Sequence, residues 1–241
     1  IEARLLSRFN TKKEQDETIK DLKSGKVDIV VGTHRILSKD IKFKKLGLLI
    51  IDEEQRFGVK HKEKLKQLKT SLDVLTLSAT PIPRTLQMSL AGIRDLSTLD
   101  EPPSERLPVN TYVIEYDENI IKSAIDRELS RNGQVYFVYN RVHNIDLLYN
   151  HITELIPEAR VAIIHGKLTP KQIETIMEDF INGEIDILLS TTIIETGMDI
   201  SNVNTIVIYD ADMMGLSQLY QLKGRIGRGT RSSYAYFTYR R

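Results

Sequence analysis

The apolar run Leu48-Leu49-Ile50-Ile51 stops on three acids, Asp52, Glu53 and Glu54. Buried strands do not end in carboxylates for stability, so these groups call for a cation. In open α/β sheets, ligands lie beyond the carboxyl ends of the strands. A carboxylate there can hold Mg²⁺, which takes one or two carboxylates and completes its shell with phosphate oxygens and waters. Asp52 is the expected metal ligand, and Glu53 can orient an attacking water. The same pair could also be a plain strand end, so the chemistry depends on what the rest of the chain supplies.

Other apolar runs end in groups suited to phosphate. One ends in Gly32-Thr33-His34-Arg35, and another in Ser78-Ala79-Thr80. Later runs end in His165-Gly166-Lys167 and in Ser190-Thr191-Thr192, the last followed by Glu195-Thr196-Gly197-Met198-Asp199. Any one of these could be ordinary turn chemistry. Repeated at four run ends, the hydroxyls, backbone N–H groups and basic side chains suit the grip of a nucleic-acid backbone. Near the end of the chain stands Gln221-Leu222-Lys223-Gly224-Arg225-Ile226-Gly227-Arg228. Arg225 and Arg228 are three apart, so on a helix they point the same way. Two converging guanidiniums suit a γ-phosphoryl group whose charge spreads in the transition state.

Positioning these residues requires an α/β scaffold, and the patterning predicts one. Short apolar runs at 27–34, 46–54 and 73–80 alternate with helical segments, as in a parallel sheet covered on both faces. Thr11-Lys12-Lys13-Glu14 forms a capping box, and Gly25 is a fitting helix stop. Residues 100–108 (DEPPSERLP) are polar, with prolines that fit neither a helix interior nor a central strand, so they read as a linker. The rhythm then restarts with strands at 109–116, 134–140, 160–166, 185–190 and 203–208. Helices are expected at 118–131, around Ile145, Leu148, Ile152 and Leu155, after the capping box at Thr169, and from about residue 216, before YAYFTY. The division expected is 1–106 and 107–241.

The 241 residues are 41% hydrophobic and 28% charged, which fits a globular chain rather than a disordered one. No run approaches the roughly 18 apolar residues of a membrane span. Absence of cysteine excludes a disulfide framework and a Cys-based metal site, and suits a cytoplasmic protein. The net charge is only +1, but residues 56–69 carry six cations against Glu63. That run reads either as a solvated helix face or as a basic patch. Residue 1 is not Met, and the opening residues read as the middle of something longer.

DEEQ, SAT, TTIIETGMD and QLKGRIGR, in this order and at these distances, resemble the motor motifs of superfamily 2 helicases and translocases. The resemblance extends over the whole chain. SRFNTKKEQ, GTHRILSKDIKFKKLGLLIIDEEQRFGVKHKEKLK and SATPIPRTLQMSLAGIRDLS resemble more narrowly the family of bacterial transcription-repair coupling factors. Fork-reversal branch-migration helicases share parts of these strings, whereas VKHKEKLK, RDLS and PPSERLPV favour the coupling factors. The resemblance implies two RecA-like domains, the first truncated at its N-terminus. It implies ATP and Mg²⁺ as cofactors, with Asp52 on the metal and Glu53 on the water. Ser78 and Thr80 would couple nucleotide state to closure, and Gly197 and Asp199 would line the nucleotide. Gln221, Arg225 and Arg228 would act from the second domain as arginine fingers and their neighbour. Arg8, Thr33, His34, Asn140, Arg141, His165, Gly166, Lys167, Thr191 and Thr192 would follow double-stranded DNA through its backbone.

The family's phosphate loop, G-x-x-x-x-G-K-[ST], is not in these residues. Gly25-Lys26 precedes Val27 and Gly166-Lys167 precedes Leu168, and neither completes the motif. The expectation is therefore a motor piece with little ATPase activity of its own, from a cytoplasmic, nucleoid-associated protein. Its RNA polymerase and excision-repair damage-recognition partners would bind through domains outside the sequence. The alternatives are the fork-reversal helicase motor, a DNA-binding module without catalysis, and a purely structural α/β protein.

Overall fold

The computed structural model describes residues 1–7, 10–54, 57–58, 60–61, 63–65, 72–78, 95, 97–99, 107–191 and 200–240. The chain divides into two compact units, Ile1–Leu96 and Ser97–Arg241.

The first unit contains two parallel strand pairs. β1 (Ala3–Leu6) pairs with β2 (Ile29–Gly32), and β3 (Leu48–Asp52) pairs with β4 (Asp73–Leu77). Helix α1 (Lys12–Ser24) starts on the expected capping box: Thr11 Oγ1 accepts from the Glu14 N–H, and the Glu14 carboxylate accepts from the Thr11 N–H. It stops at Gly25, whose φ of 80° is the left-handed conformation glycine adopts freely. Leu22 packs with Leu6 and Ile41. Strand β1 went unread in the sequence because Ala3–Leu6 is only four residues long and carries Arg4, so no apolar run marks it.

Along these strands exposure alternates among the described residues. Alternate residues point away from the packed side: Leu5, Ile29, Val31, Leu48, Ile50, Leu75 and Leu77 are each 46–60% exposed. Their neighbours Leu6 and Ile51 are buried. A period of two in burial means that, among the described residues, one face of each strand pair is better covered than the other.

In the second unit six parallel strands form one sheet: β5 (Val109–Glu115), β6 (Gln134–Tyr139), β7 (Val161–Ile164), β8 (Ile187–Ser190), β9 (Val203–Tyr209) and β10 (Ser233–Tyr239). Their order across the sheet is β5-β10-β9-β6-β8-β7. Both faces of this sheet are covered. From β6, Val135, Phe137 and Tyr139 enter one cluster with Ile121 and Ile125 of α2 (Glu118–Ser130) and Ile145, Leu148 and Ile152 of α3 (Ile145–Leu155). Tyr136 and Val138 enter the other, with Met177 and Phe180 of α4 (Pro170–Ile181) and Leu222 of α5 (Leu216–Lys223). Each fully buried aliphatic or aromatic side chain here contributes about 1.5–3 kcal/mol, so a six-residue strand buried throughout fixes the sheet. Glu128 is buried at the inner end of α2, where it pairs with Arg131 and accepts from Thr205 Oγ1 of β9.

The chain leaves β6 towards β7 on one side and leaves β9 towards β10 on the other. The carboxyl ends of β6 and β9 therefore border the point where the winding reverses, the position at which doubly wound sheets open a crevice.

Candidate active site and nucleic-acid interface

In the first unit, Asp52 is the last residue of β3 and is exposed. Glu53 follows in a left-handed backbone, φ 52°, and its N–H donates to the Leu77 carbonyl at 3.0 Å. A non-glycine residue pays roughly 1–2 kcal/mol for that conformation, which marks positions where function overrides local preference. The register pairs Asp52 with Leu77, so Ser78 leaves β4 beside Glu53. The strand ends thus bring Asp52, Glu53 and Ser78 to one edge, as their run-end positions suggested. Thr80 lies outside the described residues. Among the described residues no cluster of three or more potential metal ligands occurs. One or two carboxylates open to solvent suit Mg²⁺, whose remaining ligands are phosphate oxygens and waters.

At the end of β2, Thr33 is exposed and its side chain makes no capping hydrogen bond. His34 opens a 3₁₀ turn, His34–Leu37. Its ring lies 4.8 Å from the ring of Phe57 and 4.8 Å from that of His61. Leu6 pairs with Gly32, which sets Ser7 and Thr33 at the same end of this strand pair. Arg8 lies outside the described residues.

In the second unit the register aligns the remaining candidates. Ser190 pairs with Val138 on one side and Ile164 on the other. One residue further on come the His165, Thr191 and Tyr139–Asn140 ends, all at one edge because every strand is parallel. Asn140 and Arg141 are exposed. His165, Gly166 and Lys167 form a tight turn in which the Lys167 N–H donates to His165 Nδ1 at 3.3 Å. A Cβ built on Gly166 would meet nothing, so the backbone is open to an approaching group. Thr191 is buried, and its N–H donates to the Ile164 carbonyl at 3.3 Å. Thr192, Gly197 and Asp199 lie outside the described residues.

Gln221 sits in the last turns of α5, half-buried. Arg225 and Arg228 do not share a helix. Helix α5 ends at Lys223, Gly224 caps it, and Gly227 turns to φ 71°. The two arginines lie in the turn beyond the helix, either side of the fully buried Ile226. Arg225 is half-buried and Arg228 exposed, with Arg228 Nε donating to the Gly224 carbonyl at 3.3 Å. Gly227 is needed both for its backbone and for space, since a Cβ there would sit 3.0 Å from Val109 Cγ2.

Sequence reasoning missed Asp210. It follows β9 in a left-handed conformation, φ 53°, with a buried carboxylate. Arg240 Nε and a terminal nitrogen donate to its two oxygens at 2.9 Å, and Arg141 approaches to 3.9 Å. The Arg240 guanidinium also lies over the Tyr209 ring, 4.9 Å from its centre. Tyr209 meets Tyr116 and Tyr139 edge to face. Burial pushes the hydroxyl pKa values of Tyr116 and Tyr209 up, so both stay protonated. The signal for Asp210 was legible: an acid ends the buried run VNTIVIY just as Asp52 ends LLII.

Two family models match this chain. The model of DEAD/DEAH box helicases matches residues 2–89, and that of the helicase conserved C-terminal domain matches residues 117–230. A solved structure of RecG bound to a three-way DNA junction superposes at a TM-score of 0.76 and 34% identity, covering 100% of this chain and 32% of that one. The helicase Lhr of Mycobacterium smegmatis, solved with ssDNA and AMP-PNP, superposes at 0.73 with 17% identity over 100% of this chain and 35% of that one, a likeness of fold. Each unit thus has the fold of a RecA-like helicase domain. The transcription-repair-coupling factor of Bacillus subtilis is 64% identical over 237 residues, and that of Staphylococcus haemolyticus 58%. Each match covers 98% of this chain, which spans 20% of the length of these relatives. Over these residues the chain is similar to the transcription-repair-coupling factors. No helix among the described residues is long and apolar enough to cross a membrane.

Proposed function

We propose that this chain works as the motor of an ATP-driven translocase on double-stranded DNA, which displaces stalled RNA polymerase and recruits excision repair. The observation that carries the reading is the end of β3, where Asp52 and the left-handed Glu53 stand beside Ser78 at the edge where such sheets bind ligands. In this reading Asp52 holds the Mg²⁺ that neutralises the nucleotide phosphates. Glu53 orients the attacking water and accepts its proton. Ser78 and Thr80 report the nucleotide state, and Gly197 and Asp199 contact the nucleotide from the second unit. Arg225 and Arg228 take up charge on the transferred phosphoryl group, and Gln221 orients that end of the site. Thr33, His34, Arg8, Asn140, Arg141, His165–Lys167, Thr191 and Thr192 grip phosphates without reading sequence.

The test is Arg228→Ala in the full-length protein. Turnover is lost while duplex affinity stays nearly intact. Loss of duplex binding with turnover retained reverses the assignment. Alone, the 241-residue chain hydrolyses ATP poorly or not at all, because the lysine of a phosphate loop is not among its residues. Robust DNA-stimulated hydrolysis by this chain overturns that statement. The 34% identity to RecG supports a second reading, a motor for fork reversal. Polymerase displacement measured beside fork regression separates the two.

A further inference from the structure

The basic run after the acidic pair is the feature that the proposed function leaves unused. Its cations do not all face solvent. Residues 60, 61 and 63–65 are helical, and Leu65 is buried. Lys64 is half-buried, and its ammonium donates to the carbonyls of Leu37 at 2.7 Å and Ser38 at 2.9 Å. Those carbonyls close the 3₁₀ turn that begins at His34. At the other end of the same turn, Phe57 and His61 flank the His34 ring.

The turn is therefore held twice by one segment, once at its first residue and once at its last. That segment starts directly after Glu53. Within it the Phe57 N–H donates to the Glu54 carbonyl at 3.2 Å and the His61 N–H to the Gly58 carbonyl at 3.0 Å. Glu53 is itself pinned to β4 through the Leu77 carbonyl. On its far side the turn is anchored elsewhere, since Arg35 pairs with Asp40 and donates to Gln15 of α1.

We infer that Phe57, His61 and Lys64 form a strap coupling the Asp52–Glu53 strand end to the 33–37 turn, as positioning residues that set the His34 ring and its backbone. A displacement of the β3 end on nucleotide binding moves the strap, and the strap moves the turn as a unit because both ends are tied. A free surface helix would leave the turn indifferent to nucleotide. The inference rests on the reading of Thr33 and His34 as DNA contacts.

The experiment compares duplex affinity of the full-length protein with and without a non-hydrolysable ATP analogue, by fluorescence anisotropy, alongside ATP turnover with and without DNA. Wild type changes its duplex affinity on adding the analogue. Lys64→Met and His61→Leu reduce that change by about fivefold, the size of a typical coupling between sites, and lower DNA-stimulated turnover with DNA-free turnover unchanged. Lys64→Arg keeps the donors, His61→Phe keeps the ring, and both restore the response. A purely structural role lowers affinity equally with and without nucleotide and does not distinguish Arg from Met. The inference is overturned by that outcome, by wild-type responses in Lys64→Met and His61→Leu, or by a wild type whose affinity ignores the analogue. His34→Ala separates the two layers. If it leaves duplex affinity unchanged, the DNA-contact reading fails. If it weakens binding while the strap variants respond normally, only the strap fails.

Discussion

Glu53 joins two demands that conflict at one position. Its carboxylate is proposed to do chemistry, and its backbone sits at φ 52°, where glycine would be at ease. Substitution can separate them. Glu53→Gln in the full-length protein keeps nucleotide binding and drops turnover by about 10²–10⁴-fold, the usual worth of a general base. Glu53→Gly also loses turnover, yet raises the midpoint of thermal unfolding of the first unit, because about 1 kcal/mol of backbone strain is released. An unchanged or lower midpoint shows that the surroundings, rather than the residue, pay for the conformation. Asp210 carries the same pair of features, but its carboxylate is already taken by Arg240. The equivalence of Asp52 and Asp210 in sequence therefore hides a difference that only partners reveal: one is open to a cation, and the other is satisfied by a guanidinium.

At the scale of elements, the hydrophobic alternation announced most of the second unit. A strand such as β6, buried along its whole length, is announced by a near-continuous apolar run, and VYFVY after Gln134 is one. Both capping boxes were legible because they are local: Thr169 and Gln172 exchange hydrogen bonds across three residues. Arg225 and Arg228 lie beyond the helix for an equally local reason. Two glycines within four residues lower the cost of leaving the helix, and the buried Ile226 holds the turn in place. Pairing between distant elements left no mark. Asp186, at the entry to β8, accepts from the Arg160 backbone N–H and guanidinium at 2.7–3.0 Å. Burial raises its pKa, but those hydrogen bonds outweigh it and hold the carboxyl below its ordinary 3.8. A folded pKa below the unfolded one stabilises at neutral pH, and that contribution fades as pH falls below the ordinary value. Asp186→Asn should thus cost about 1 kcal/mol at pH 7 and less at pH 3, as chemical denaturation at the two pH values would show. An equal cost at both would mean that shape rather than charge matters there.

For the molecule as a whole, the two units differ in self-sufficiency. The second has a core on each face of its sheet and a buried strand at its centre. Residues 107–241, the second domain expected from the sequence, are predicted to fold alone and unfold in one cooperative transition by calorimetry and circular dichroism alike. Non-coincident transitions by the two methods would locate part of its stability elsewhere in the chain. The net charge of +1 divides no such roles. The proposed grip on duplex DNA rests on where cations stand, so the total charge says little about it.

The less covered faces of the first unit's strand pairs have their own consequence for how the chain behaves in a tube. On each of the two short strand pairs, exposed leucine, isoleucine and valine side chains stand two residues apart among the described residues. Such a surface is adhesive to any copy of itself. With almost no net charge to keep molecules apart, its colloidal fate is set by concentration and salting-out rather than by folding free energy. The half of the chain that carries the acidic pair is thus also the half that sets the solubility ceiling.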